Sequence, residues 1–129
     1  MAGDEIHGKL PAPSSKTKLT FAQIDQQKRQ LQNQVVLIEI SKVLGEGKDM
    51  GNGMLRYIVK DTSGSATPYG QMLFSAQAVE KLGLRASGPK SPFSVYAQIY
   101  LPEPKAAVIC TALGTRVSGE GTDHVTYQW

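Results

Sequence analysis

Residues 90–101 carry the strictest pattern in the chain, with Phe93, Val95, Ala97, Ile99 and Leu101 alternating with Ser94, Tyr96, Gln98 and Tyr100. A period of two puts the first set on one face of an extended strand and the second set on the other. The segment therefore reads as a half-buried strand with a core on one side. Such a strand needs partners, since an unpaired one leaves its amides and carbonyls unsatisfied. The run stops at Pro102-Glu103-Pro104-Lys105, because proline donates no ladder hydrogen bond, and residues 107–117 read as the returning strand.

Three more strands are expected upstream. In residues 35–43, Val36, Ile38 and Ile40 share one face, and Leu37, Glu39 and Ser41 share the other. The stretch from Gly45 to Gly53 holds four glycines in nine residues and reads as a mobile loop or hairpin tip. Residues 54–61 form the second strand, Thr62-Ser63-Gly64-Ser65 turns the chain, and residues 71–74 form the third. Ser75 suits the N-cap of a short helix over 76–82, with Val79 and Leu82 inward and Gly83 in position to stop it.

The N-terminal part reads differently. Residues 1–18 mix Pro, Ser and Gly with Lys9, Lys16 and Lys18, which predicts a flexible basic arm. Thr20-Phe21-Ala22-Gln23 matches a capping box and opens a helix expected over 19–34. Its apolar stripe, Phe21, Ile24, Leu31 and Val35, is interrupted by Lys28, and its other face is rich in glutamine. Such a helix either lies across one end of the main domain, or self-associates, or contacts nucleic acid. The main domain is expected over 35–118, followed by a tail over 119–129 whose last five residues suit a short sixth strand.

A chain of 129 residues, 40% hydrophobic and 19% charged, fits one globular domain. Fourteen Lys and Arg against eleven Asp and Glu give a net charge of +3. A pI near 9.0 is compatible with a polyanionic partner. There is no apolar run of about eighteen residues to cross a membrane. Asp4, Glu5 and prolines occupy the start, where a signal peptide would be apolar. The expectation is a cytoplasmic protein with no membrane partner. Cys110, the single cysteine, sits in an apolar run and reads as a small core residue.

Strand, Gly-rich loop, strand, tight turn, strand, short helix, strand, Pro-containing loop, strand: this order over 34–118 resembles the oligonucleotide- and oligosaccharide-binding (OB) fold. The segment Met54-Leu55-Arg56-Tyr57-Ile58-Val59-Lys60-Asp61, with Thr62-Ser63-Gly64 after it, is similar to the strand-Asp-x-Ser-Gly turn of nucleic-acid-binding members. The resemblance implies a mainly β protein: a five-stranded OB-type barrel with one short helix between strands three and four, preceded here by the N-terminal helix. It implies that ligand crosses the second and third strands, between the Gly-rich loop and the Pro loop.

That surface includes Lys48 and Asn52 from the Gly-rich loop, Met72 and Phe74 from the third strand, and Lys105 from the Pro loop. From the second strand it takes either Arg56, Ile58 and Lys60 or, in the other register, Leu55 and Tyr57. Tyr57, Tyr69 and Phe74 are candidate stacking rings, although Tyr57 and Phe74 equally suit a core; Arg56, Lys60 and Lys48 are candidate phosphate contacts. Tyr96 and Tyr100, two apart on an outward face, suggest a protein interface instead, and edge-strand pairing between subunits is a third possibility.

Little in the chain suggests catalysis. His7 and His124 lie in the arm and the tail, away from any candidate nucleophile, and with one cysteine they do not suit a zinc site. Lys48 is followed by Asp49, not by the Ser or Thr of a phosphate-binding loop. Glu46, Asp49 and Asp61 lack the spacing of a calcium loop. The expectation is a noncatalytic, cofactor-free module for single-stranded DNA or RNA, or alternatively a protein-assembly subunit of the same fold.

Overall fold

The computed structural model describes residues 10–84, 92–103, 105–119 and 124–129. The chain is mainly β, with nine strands and three short helices among these residues. The expected long N-terminal helix is two pieces, α1 (Phe21–Gln26) and α2 (Lys28–Leu31), separated at Gln27. The third helix is α3 (Ala76–Leu82).

The organising strand is β3 (Val35–Asp49). Its first half pairs antiparallel with β6 (Phe93–Tyr100), and its second half with β4 (Met54–Asp61). From β4 the ladder passes to antiparallel β5 (Tyr69–Ser75), then to parallel β7 (Ile109–Gly114), then to antiparallel β6. The order β3-β4-β5-β7-β6 thus returns to β3, giving a ring of five strands.

Alternation decides what faces into the ring. Val95, Ala97 and Ile99 are buried, as their period of two requires, and they meet Ile38, Ile40, Tyr57, Val59, Met72, Phe74 and Cys110. Beneath this core α3 contributes Ala78 and Val79. Its ends are those expected: Ser75 Oγ accepts the Ala78 amide, and Gly83 takes a φ of 66°. The capping box also forms, since Thr20 Oγ1 accepts the Gln23 amide while Gln23 Oε1 accepts the Thr20 amide. Lys28 stays in the apolar stripe by burying its stem and donating from Nζ to the Ala106 carbonyl at 3.1 Å.

Four local expectations are corrected. The expected arm does not run loose to Lys18: Leu10–Pro11 and Pro13–Lys18 are strands β1 and β2, while residues 1–9 lie outside the described part. The reason is an open edge, because β4 ends at Asp61 opposite Ile40 and leaves the start of β3 to pair elsewhere. Parallel β2 takes that place, and the Leu19 amide extends it to the Leu37 carbonyl.

The Gly-rich stretch is not a loop over 45–53. Strand β3 runs through it to Asp49, and the reversal is confined to residues 50–53, where Gly51 and Gly53 take φ of 84° and 82°. Gly47 is needed for contact rather than flexibility, since a Cβ there would collide with the Tyr57 ring. The helix expected over 19–34 breaks at Gln27, as above. The returning strand also breaks, at Thr115, into β7 and β8 (Arg116–Ser118).

The tail forms β9 (His124–Gln128), which pairs with β1 and β8 in a second, three-stranded sheet. It closes onto the ring: Trp129 lies 6.3 Å from Phe74, and the Gln128 backbone occupies the place a side chain at Gly114 would fill. Tyr127 donates its hydroxyl to the Pro11 carbonyl at 2.6 Å. No helix among the described residues is long and apolar enough to cross a membrane.

Burial pushes the Cys110 thiol up to about 12, so it stays protonated at neutral pH. Native protein is expected to leave Cys110 unmodified by a soluble disulfide reagent, and denatured protein to react with one equivalent. Rapid native-state labelling would show that the β5–β7 side of the ring opens readily.

Candidate nucleic-acid interface

The register of β4 decides which side chains reach solvent. Tyr57 and Val59 are buried, Ile58 is 42% exposed, and Arg56 and Lys60 are half-buried. Of the two sets the sequence left open, Arg56, Ile58 and Lys60 therefore face outward.

Cross-strand pairing then builds three rungs over β3, β4 and β5. Lys42 stands opposite Lys60, which stands opposite Tyr69. Leu44 stands opposite Ile58, which stands opposite Gln71. Lys48 stands opposite Arg56, which stands opposite Leu73. Two basic rungs thus flank an apolar centre, and four residues of strand separate them, roughly 13 Å. Tyr69, 54% exposed, offers an open ring at one edge.

Several predicted site residues are not on this surface. Tyr57, Met72 and Phe74 are core residues, exposed by 2%, 0% and 0%, so none of them can stack on a ligand. The Tyr57 and Phe74 rings instead pack edge to face at 5.8 Å. Asn52 is a turn residue whose Oδ1 accepts the Met54 amide. Lys105 is exposed in the β6–β7 loop. On the opposite side of the ring Tyr100 is 51% exposed, whereas Tyr96 is half-buried against Tyr127, with ring centroids 5.6 Å apart. The two tyrosines therefore do not form one open aromatic pair.

Simple alternation missed Lys42, because Val36, Ile38 and Ile40 would carry it inward. The register shifts between Ile40 and Lys42, and the intervening Ser41 donates to the Lys60 and Asp61 carbonyls at 3.1 and 2.9 Å. This bulge turns Val43 toward the core and Lys42 and Leu44 outward, and a second register shift between Leu44 and Lys48 brings Lys48 opposite Arg56.

A groove of about 410 Å³ runs from the Tyr69 edge. Its floor is Ile58, Gly70 and Gln71, one wall is α1, and the other is the β6–β7 loop at Ala107 and Val108. What seats α1 is Asp61, which is 2% exposed. One carboxylate oxygen accepts the Phe21 amide at 2.8 Å, and the other accepts the Ser63 amide and hydroxyl at 2.9 and 2.5 Å. Gly70 completes the fit, since a Cβ there would run into the Phe21 ring.

The same turn is tied to β3 on the surface. Glu39 accepts the Thr62 hydroxyl at 3.0 Å and Lys18 Nζ at 3.2 Å, and these two partners hold its carboxyl below the ordinary value of 4.5. A depressed value means the contact stabilises the fold above that pH and is lost as pH falls through the lower folded value.

Electrostatically the rungs are uncompensated. None of Lys42, Lys48, Arg56 and Lys60 forms a salt bridge among the described residues. No three His, Cys, Asp or Glu side chains of the described residues gather as metal ligands. No protein-family model matches the sequence, and a search of curated proteins finds no match.

Replacing Asp61 with Ala leaves the Phe21 amide without its buried acceptor. The expected loss is about 2–4 kcal/mol of unfolding free energy in urea titration, with Asp61→Asn milder. Gly70→Ala is expected to cost about 1–3 kcal/mol through its collision with Phe21. Wild-type stability in either variant would mean α1 is not held as described.

Proposed function

We propose that the chain is a noncatalytic OB-type module that binds single-stranded DNA or RNA across the outer face of β3, β4 and β5. The observation that carries this reading is the pair of basic rungs, Lys42 with Lys60 and Lys48 with Arg56, standing without acidic partners beside an exposed Tyr69. Like charges opposite one another weaken a sheet, so such an arrangement has a cost that a bound polyanion removes. Phosphates can follow the basic rungs while bases stack on Tyr69 and lie along Ile58 and Leu44.

The strand order supports the same reading. A ring running β3-β4-β5-β7-β6, with α3 between β5 and β6 and β5 parallel to β7, is the arrangement expected of an OB fold. Of the basic face, Arg56 and Lys60 stand on β4, one of the two strands where that fold usually takes its ligand, and Tyr69 stands on β5, the other, while Lys42 and Lys48 extend the face onto β3. Tyr100, exposed opposite Ile109 on the other side of the ring, is the observation that favours the rival reading of a protein-assembly subunit.

Fluorescence anisotropy of a labelled single-stranded oligonucleotide separates the two. With four cations engaged, the logarithm of affinity should fall against the logarithm of salt concentration with a slope of about −3, from roughly 0.7 counterion per contact. Arg56→Ala with Lys60→Ala should about halve that slope, and Tyr69→Ala should weaken binding by about 1–3 kcal/mol. Absence of binding to both DNA and RNA at low salt would overturn the proposal and leave assembly as the better reading.

A further inference from the structure

The groove beside Tyr69 differs chemically from the basic rungs. Its α1 wall presents Asp25 and Gln26, both exposed, and its floor presents the half-buried Gln71. Neither glutamine side chain is engaged in a hydrogen bond among the described residues. The nearest cation to Asp25 is Lys28 Nζ at 3.8 Å, in a surface contact that leaves the carboxylate side chain 70% exposed. A phosphate entering here would meet a carboxylate, so the groove is unsuited to the backbone of a nucleic acid. A flat ring with hydrogen-bond donors on its edge suits it better, with Tyr69 and Ile58 supplying apolar surface.

We propose that this groove receives a base of the bound strand and that Asp25 makes it selective for guanine, an inference that rests on the single-strand reading above. An ionised carboxylate only accepts hydrogen bonds and can take two from parallel donors. Among the common bases guanine alone carries two adjacent donors on its pairing edge, the ring N–H and the neighbouring amino group. Adenine and cytosine each offer an amino donor beside a bare ring acceptor, and thymine or uracil offers one N–H between two carbonyls. Each of these sets a lone pair against the carboxylate. Gln71 and Gln26, which can both donate and accept, are suited to the guanine carbonyl and the outer ring nitrogen. Selectivity therefore resides in α1 and affinity in the basic rungs.

The test compares labelled single strands of alternating T-G, T-A and T-C with oligo-T of the same length, by anisotropy at one salt concentration. The T-G strand should bind about tenfold more tightly, the scale of one good bidentate contact. Asp25→Asn, an isosteric change at an exposed position, should bring T-G down to the level of the others while oligo-T affinity stays the same or rises slightly. The melting temperature of the variant checks that it folds. Equal binding of all four strands, or a guanine preference that survives Asp25→Asn, would overturn the base pocket while leaving single-strand binding intact. Failure of every strand to bind would overturn both.

Discussion

The Asp61 carboxylate is the contact on which the geometry of the outer face depends. It ends β4, receives the Ser63 amide and hydroxyl that turn the chain toward β5, and accepts the first amide of α1. A buried carboxylate is tolerated only when its oxygens are satisfied, and here they are satisfied by groups from two separate segments. One side chain thereby sets where β4 stops, how β5 returns and where α1 lies. The groove beside Tyr69 exists because those three elements meet there.

Small residues supply the rest of the fit. Gly47 lets β3 lie against the Tyr57 ring, Gly70 lets α1 set Phe21 on β5, and Gly114 lets the tail backbone close over β7. In each case close packing, not freedom to take unusual torsions, explains the glycine. The Ser41 bulge works in the opposite sense, adding a residue to β3 so that a lysine reaches solvent. The basic face is a product of that bulge, of the second register shift between Leu44 and Lys48, and of the regular alternation of β4.

Charge is divided over the molecule in a way its modest total conceals. A net charge of +3 suggests little. Four cations on two rungs of one sheet face make a local field, because neighbouring strands lie only about 5 Å apart. Asp25, on the α1 wall of the groove, sets an exposed carboxylate apart from these cations.

The local signals were legible wherever the physics is local. The period of two in β6, the capping box at Thr20, and the Ser75 and Gly83 ends of α3 depend on residues a few positions apart, and all appear in the structure. The face of β4 was not legible, because Arg56, Ile58 and Lys60 on one side and Leu55 with Tyr57 on the other each make an acceptable outward set until a partner sheet selects one. The same holds for residues 10–18, which lack periodicity: Pro13–Lys18 become a strand by filling an edge of β3, and Leu10–Pro11 by pairing with β9. The sequence by itself thus determined a mainly β chain, its helix caps and the supply of cations and rings. Tertiary structure decided that Tyr57 and Phe74 go inward while Lys42 and Tyr69 remain outside, because burial is settled by what lies across the ring and across the bulge, not by neighbours along the chain.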